Sequence, residues 1–549
     1  MSSKPRGLRR SLIALGLAGA TVVAVASPAL AQPVRGHDSG FDRGHGYGVT
    51  RLEPGNLLVS TSDYVGTPNI TAGQTQLPPN CTGSNCVTAT ADGSYPTVFN
   101  NVLSDSSFGV TSPIVLDELS PSGRQLGSIT VPEVGGAVTS FSSKSELALN
   151  QSTSGKYVTF MGYAAPQDAV DVSNSNTPGA IDPTNPVPGS DYRVVVELGA
   201  DGKFHFTETN AYSGNNGRAA VLADTKGLDE LYTAGNAGNG SNPQPENVVL
   251  GAGAQLLSPS KLPESKQTPG LPTPVGAFSV TQLGDKADKI GKDTNFRGLT
   301  ISNNVLYFTK GSGSNGVNTV YFLDTTGTAC PNGVGVPAAG AKLPTAAVTY
   351  DAENGLTPNN MCVLAGFPTT TAKSDTDFFP FGLWFANKDT LYVAQEGDGS
   401  NTYSTTTNSY TDAASSATAG LQKYSFDNAT KSWKLDYTLQ SGLKLGTPYT
   451  VAGYPKGDNA ATGLPWAPAT DGLRNISGRV NANGTVTIWG VTSTVSGSGD
   501  QGADPNALVS VTDRLSSTAA SGTEAFHAVK APKYGTTVRG VSFTPGTRF

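Results

Sequence analysis

The apolar positions of this chain fall in short runs separated by turns, and a helical 3.6-residue period is nearly missing. From Asn295 the order is RGLTIS, a two-residue NN turn, VLYFTKG, a polar loop SGSNGVN, and TVYFLDTTG. The same order recurs at NNGRAAVLADTKGLDELYTAGNAGNGSN from Asn215 and at FPFGLWFANKDTLYVAQEGDGSN from Phe379, where GLQKYSF and WKLDYTLQ supply two further strands. LRNISGRVNANGTVTIWGVTS from Leu473 and SELALNQSTSGKYVTFMGY from Ser145 follow it too. Each hairpin turn carries Asn, Asp or Gly, which tolerate the backbone angles of a tight turn. The repeat therefore predicts an all-β chain built from four-stranded units.

Internal first strands begin near Glu146, Arg218, Arg297, Gly382 and Arg474. Their spacing, roughly 65 to 95 residues, exceeds the ~40–45 of a minimal propeller blade and calls for inserted loops. A further first strand, VRGVSFTP, sits at the C-terminus with nothing after it. Near the other end, GNLLVSTSDYVG from Gly55 reads as a second strand without a first, followed by PIVLDELSPSG and LGSITVP. Joining the two ends completes one more blade and leaves no open sheet edge. The predicted fold is a single β-propeller over residues 49–549, of six blades, or seven if a long insertion hides one, with the closing blade shared between the termini. Two β-sandwiches in series are the alternative, but they leave the split ends unexplained. Val34–Gly48, Ser258–Pro274 and Gly442–Pro468, rich in Pro, Gly and polar residues, read as a leader and two surface insertions.

Residues 1–31 look like an export signal: a basic start, an apolar run from Leu12 to Val25, and Ala29-Leu30-Ala31 before Gln32. Arg9-Arg10 ahead of that run suits a twin-arginine signal, and a plain Sec signal is the other reading. Residues 32–48 then form a flexible leader. No later segment approaches the ~18 consecutive apolar residues of a membrane span. A secreted, extracellular monomer is expected. Charged residues are 14% of the chain and its net charge is -6, with no Lys/Arg cluster, so nucleic acid is not an expected partner. Four cysteines in an oxidising compartment favour bridges, and of the three pairings Cys81–Cys86 with Cys330–Cys362 is the expected one.

The four-strand blade and split closing blade resemble the secreted six-bladed propellers of the gluconolactonase, NHL-repeat and phytase-like superfamily. The resemblance covers nearly the whole mature chain as pattern. It implies an extracellular ester or lactone hydrolase, but the lactonase family's metal-binding Glu/Asn/Asp cluster is not matched residue by residue, so no catalytic residue is carried over.

In a propeller, the link entering the innermost strand and the link between second and third strands share one face. Arg218, Arg297, Arg474 and Arg539 should therefore meet the polar loops GNAGNGSN, GSGSNGVN, EGDGSN and VSGSGDQG around the channel. Guanidinium forks suit carboxylate or phosphate, which predicts a small anionic or sugar ligand. The opposing interpretation is that each arginine bonds carbonyls of the neighbouring blade. On the same face, Glu396 and Asp398 end a second strand while Asp375 and Asp377 precede a first. They are candidates for acid–base work (Glu396, Asp398, Asp377) or for Ca²⁺ ligation (Asp375, Asp377), or are simply solvated. Trp384 is a candidate to stack a sugar ring. GSGSNG, at Gly311–Gly316, matches a dinucleotide-loop string but joins two strands and opens no helix. His205 and His527 sit beside Phe in outer strands and read as packing residues. Two classes stay open: a hydrolase or lyase, and a non-catalytic propeller that holds a cell-wall polysaccharide.

Overall fold

The computed structural model describes residues 51–77, 87–89, 95–97, 109–181, 189–236, 253–260, 266–270, 273–286, 293–347, 359–374, 377–498 and 501–548. Six small, mainly antiparallel sheets form a six-bladed β-propeller. In blade I the C-terminal strand Thr536–Phe543 is innermost and is followed outward by Leu57–Asp63, Ile114–Leu119 and Gln125–Thr130. The ends of the chain pair antiparallel, with Leu58 opposite Ser542 and Val59 opposite Val541.

Blade II runs outward through Asn150–Gln151, Tyr157–Tyr163, Arg193–Gly199 and Phe204–Thr209, and blade III through Gly217–Ala223, Glu230–Gly235, Ala254–Leu257 and Thr273–Gly276. Blade IV is Leu299–Ser302, Val305–Lys310, Thr319–Leu323 and Met361–Leu364. Blade V is Pro380–Asn387, Thr390–Gln395, Gly420–Asp427 and Ser432–Leu439. Blade VI is Ala469–Val480, Thr485–Val495, Leu508–Arg514 and His527–Lys530. The NN turn of blade IV holds Asn303 and Asn304 at φ 50° and 61°, the left-handed pair that lets a two-residue hairpin follow the twist of its strands.

Two stretches depart from the sequence expectation. Part of the 258–274 insertion is strand: Thr273 opens the outer strand of blade III, and Lys266–Gly270 lies parallel to Phe204–Thr209 at the edge of blade II. An edge strand has no ladder partner on one side, so Pro269 removes a donor that is not needed there. The 442–468 insertion is anchored rather than loose, because Tyr454 and Trp466 are buried in an aromatic cluster described below.

The core lies as apolar wedges between blades. Leu57, Val59, Val541 and Phe543 of blade I pack on Trp489, Val491 and Leu508 of blade VI, and Tyr392 and Leu421 of blade V on Leu473, Ile488 and Val511 of blade VI. No blade buries its faces alone, so stability depends on closing the ring. Among the described residues no helix is long and apolar enough to cross a membrane.

Cys330 and Cys362 form a disulfide on the outer side of blade IV. Cys81 and Cys86 lie outside the described residues. The bridge closes a separation of 32 residues, for which loop entropy gives about 3–4 kcal/mol. Replacing both Cys330 and Cys362 by serine should lower stability by up to that amount in chemical denaturation. Equal midpoints for the two proteins would show the bridge to be idle.

Candidate functional site

The four arginines at the first strands are all buried, with Arg218, Arg297, Arg474 and Arg539 6%, 3%, 4% and 3% exposed, and of them Arg297 and Arg474 line the cavity described below. Each binds a neighbouring segment. Arg218 of blade III donates from Nη1 to the Phe296 carbonyl at 3.1 Å and to Asn295 Oδ1, both leading into blade IV, and from Nε to Asn216 Oδ1 at 3.1 Å. Arg539 of blade I donates to the Phe141 carbonyl, ahead of blade II. Arg297 of blade IV and Arg474 of blade VI converge on one carboxylate, Glu396, which follows the second strand of blade V. Arg297 Nη1 contacts its Oε1, and Arg474 Nε donates to Oε2 at 3.3 Å. The glycine after Arg297 is required by close approach, since a Cβ on Gly298 would lie 2.0 Å from the Phe381 carbonyl oxygen.

Burial and the like charges of Arg218 and Arg474 pull the Arg297 guanidinium well below its usual range. The Glu396 carboxylate in contact opposes that shift, and arginine keeps its proton at neutral pH. Burial also brings Arg218 down to about 10. Arg297 Nε has no hydrogen-bond partner among the described residues. Lys310, buried beside this group, is pulled down to about 7 by burial and then by Arg297. Its ammonium donates to the Ser312 and Gly313 carbonyls and to Asn318 Oδ1. The GSGSNG loop thus turns carbonyls toward a cation, the reverse of a phosphate cradle.

Next to the Arg297–Glu396–Arg474 triad lies a cavity of about 170 Å³, lined by Lys144, Arg297, Arg474, Glu396, Asp398 and Asp471 together with the glycines at 311, 313, 397 and 399. The Asp471 carboxyl accepts the Gly399 N–H on Oδ2 at 2.9 Å, while its buried Oδ1 has no partner among the described residues. Gly397, at φ 85°, carries the turn over it; a Cβ there would meet the Asp471 carboxyl at 2.3 Å. Burial, reinforced by Asp398, pushes the Asp471 carboxyl up to about 7. The cavity is thus lined by two guanidinium groups, one ammonium and three carboxyls, of which Asp398 is exposed and Asp471 is buried and raised toward neutrality.

An aromatic cap covers the same face. Tyr64, Tyr95, Phe141, Tyr454, Trp466 and Tyr534 pack together, all on segments that leave second strands or enter first strands or on the insertions between them. Tyr95 and Tyr454 hydroxyls donate to the Ala503 carbonyl and to Asp504 Oδ1. Asp504 is itself lifted to about 7 by burial. For Asp471 and Asp504 the folded value lies above the ordinary 3.8. Folding therefore favours their protonated form, and the stability they contribute is complete below pH ~4 and lost as pH rises to about 7.

The remaining candidates are spread out. Asp377 is exposed on the segment entering blade V and does not line the cavity; Asp375 lies outside the described residues. Glu396 fits a cation such as Ca²⁺ poorly, because both its oxygens face guanidinium groups. Trp384 does not share the arginine mouth. It lines a separate cavity of about 670 Å³ at the other end of the inner strands. His205 packs 6.1 Å from the Tyr157 ring, and His527 is exposed. Lys144 and Asp471 were missed by sequence reasoning. The visible signal for Asp471 is its place three residues before Arg474, at the mouth end of a first strand.

No family model matches the chain, and no curated protein does. Among solved structures, two mutants of an apocarotenoid oxygenase from Synechocystis align with TM-scores of 0.23 and 0.21 at 8% identity, over 80% of this chain and 59% of theirs. An acylaminoacyl peptidase from Pyrococcus horikoshii aligns with a TM-score of 0.21 at 9% identity, over 70% of this chain and 53% of its own. The chain thus spans less than two thirds of each, and likenesses this weak carry no argument about activity.

Proposed function

We propose that this chain is an exported propeller that binds a small anionic, hydroxylated molecule, such as a sugar acid, in the 170 Å³ cavity at its arginine mouth, and hydrolyses the corresponding lactone or ester. The observation that carries this is the pairing, in one cavity, of cationic groups with two carboxyls of unlike environment: Asp471, buried and held up to about 7, and Asp398, exposed. Unlike environments are how one site keeps a proton donor beside an ionised base. The cationic side chains lining the cavity, Lys144, Arg297 and Arg474, attract the anion. Asp471 donates a proton to the leaving oxygen, and Asp398 orients or deprotonates water. Glu396 holds Arg297 and Arg474 in place.

Gluconate and inorganic phosphate titrated by calorimetry, with turnover of δ-gluconolactone, test this. Lys144→Ala should weaken gluconate by at least about tenfold, the scale of one desolvated charge contact. Turnover should fall as pH rises through about 7, where Asp471 loses its proton, and Asp471→Asn should remove that limb of the profile. No heat with either anion would overturn the proposal. A second reading, a non-catalytic binder, is favoured by the engagement of Arg218 and Arg539 with backbone carbonyls of neighbouring segments. Gluconate binding without lactone turnover would select it.

A further inference from the structure

We infer that the opposite mouth of the channel is a second binding site, for a neutral pyranose ring or short neutral oligosaccharide, with Trp384 as its stacking platform. All six blades contribute to the cavity there, through the far ends of their inner strands, and its volume of about 670 Å³ lies within the ~300–1,000 Å³ of small-molecule sites. Its chemistry is the reverse of the arginine mouth. Among the described residues Arg479 is the single charged one in the lining, and it is drawn to the wall, with Nε donating to Asn481 Oδ1 at 3.2 Å and Cζ 5.8 Å from the Trp489 ring. The polar lining is short hydroxyls and amides, among them Asn150, Thr300, Ser302, Asn387 and Ser477. An anion finds little to hold it, and a purely apolar ligand would strand those groups without partners.

Trp384 supplies the flat surface. Of the chain's four tryptophans, Trp433, Trp466 and Trp489 are buried, and Trp384 is half-buried at the cavity wall. Its indole lies flat on Gly478, where a Cβ would come within 2.6 Å of the ring. Any other residue at 478 would displace the ring, so the sequence fixes its seat. A rigid indole surrounded by hydroxyl and amide groups matches the two aspects of a pyranose, a C–H face and an equatorial rim of hydroxyls.

The test is tryptophan fluorescence with iodide quenching, using cellobiose, maltose and trehalose as probes and the full chain as protein. At least one disaccharide should give a saturable spectral shift and protect the quenchable tryptophan. Trp384→Ala should weaken that sugar by at least about tenfold and Trp384→Phe far less, as expected for a stacking contact. Because Trp384→Ala can perturb folding, Asn387→Ala, at an exposed rim position, serves as a second variant and should weaken the same sugar by a few-fold. Lys144→Ala, at the other mouth, should leave it unchanged. Failure of all three sugars up to about 50 mM, a range that covers weak carbohydrate affinities, would overturn the inference. So would unchanged binding in Trp384→Ala and Asn387→Ala. Failure of gluconate binding would leave it standing.

Discussion

Glu396→Ala is expected to destabilise the protein by about 3–5 kcal/mol, because it leaves two guanidinium groups buried with no carboxylate between them. The effect comes from desolvation more than from lost attraction. Arg297 and Arg474 expose only 3% and 4% of their surface, and they already repel one another across the space that Glu396 fills. In a chain this long the unfolding entropy is large, so the loss appears as a fall in Tm of only roughly 3–5 °C. Denaturant midpoints are therefore the better measure. A contrasting variant separates stability from function. Replacing Glu396, Arg297 and Arg474 together by leucine and methionine removes all three charges, and such swaps are often neutral. If that triple variant keeps its denaturation midpoint but loses gluconate, the triad serves the ligand. A midpoint for Glu396→Ala equal to that of the parent would overturn the account of the triad.

The other large effect concerns ring closure. A chain ending at Gly535 should lose its cooperative unfolding transition, since all eight residues of Thr536–Phe543 are buried. Val538, Val541 and Phe543 alone represent about 5–9 kcal/mol of apolar burial, comparable with the ~5–15 kcal/mol net stability of a typical domain. The truncation would also bare the edge of Leu57–Asp63 and uncover Trp489 of blade VI. Soluble yield, melting by circular dichroism and protease resistance measure this, and adding residues 534–548 as a peptide should restore part of the protection. A truncated chain that melts as sharply as the parent would show that the ring does not depend on its closing strand.

How much of this was visible in the sequence follows from the range of the interactions. Hairpins are local: the Asn303-Asn304 turn fixes the register of Leu299–Ser302 on Val305–Lys310, and the same grammar marked the other blades. The split blade was legible because each end lacked what the other had. Pairing partners were not legible. Glu396 lies 78 residues from Arg474 along the chain, and nothing in EGDGSN shows that its carboxylate is taken up by two arginines rather than left for proton transfer. Nor did the sequence show that each of these arginines is buried against a neighbouring segment, with Arg297 and Arg474 sharing Glu396. Periodicity also put Trp384 on an inner strand without saying which end of the channel it lines.

The paired ends of the chain carry one last consequence. Gly55 N–H donates to Thr547 Oγ1 at 2.7 Å, and the Thr544 hydroxyl donates to the Glu53 carbonyl at 2.6 Å, so the start and finish of the propeller meet as neighbours. In such a circle the order of translation is a convention: a permuted gene, fused at this junction and opened at the Asn303-Asn304 hairpin, encodes the same set of contacts. The architecture is indifferent to where the ribosome begins.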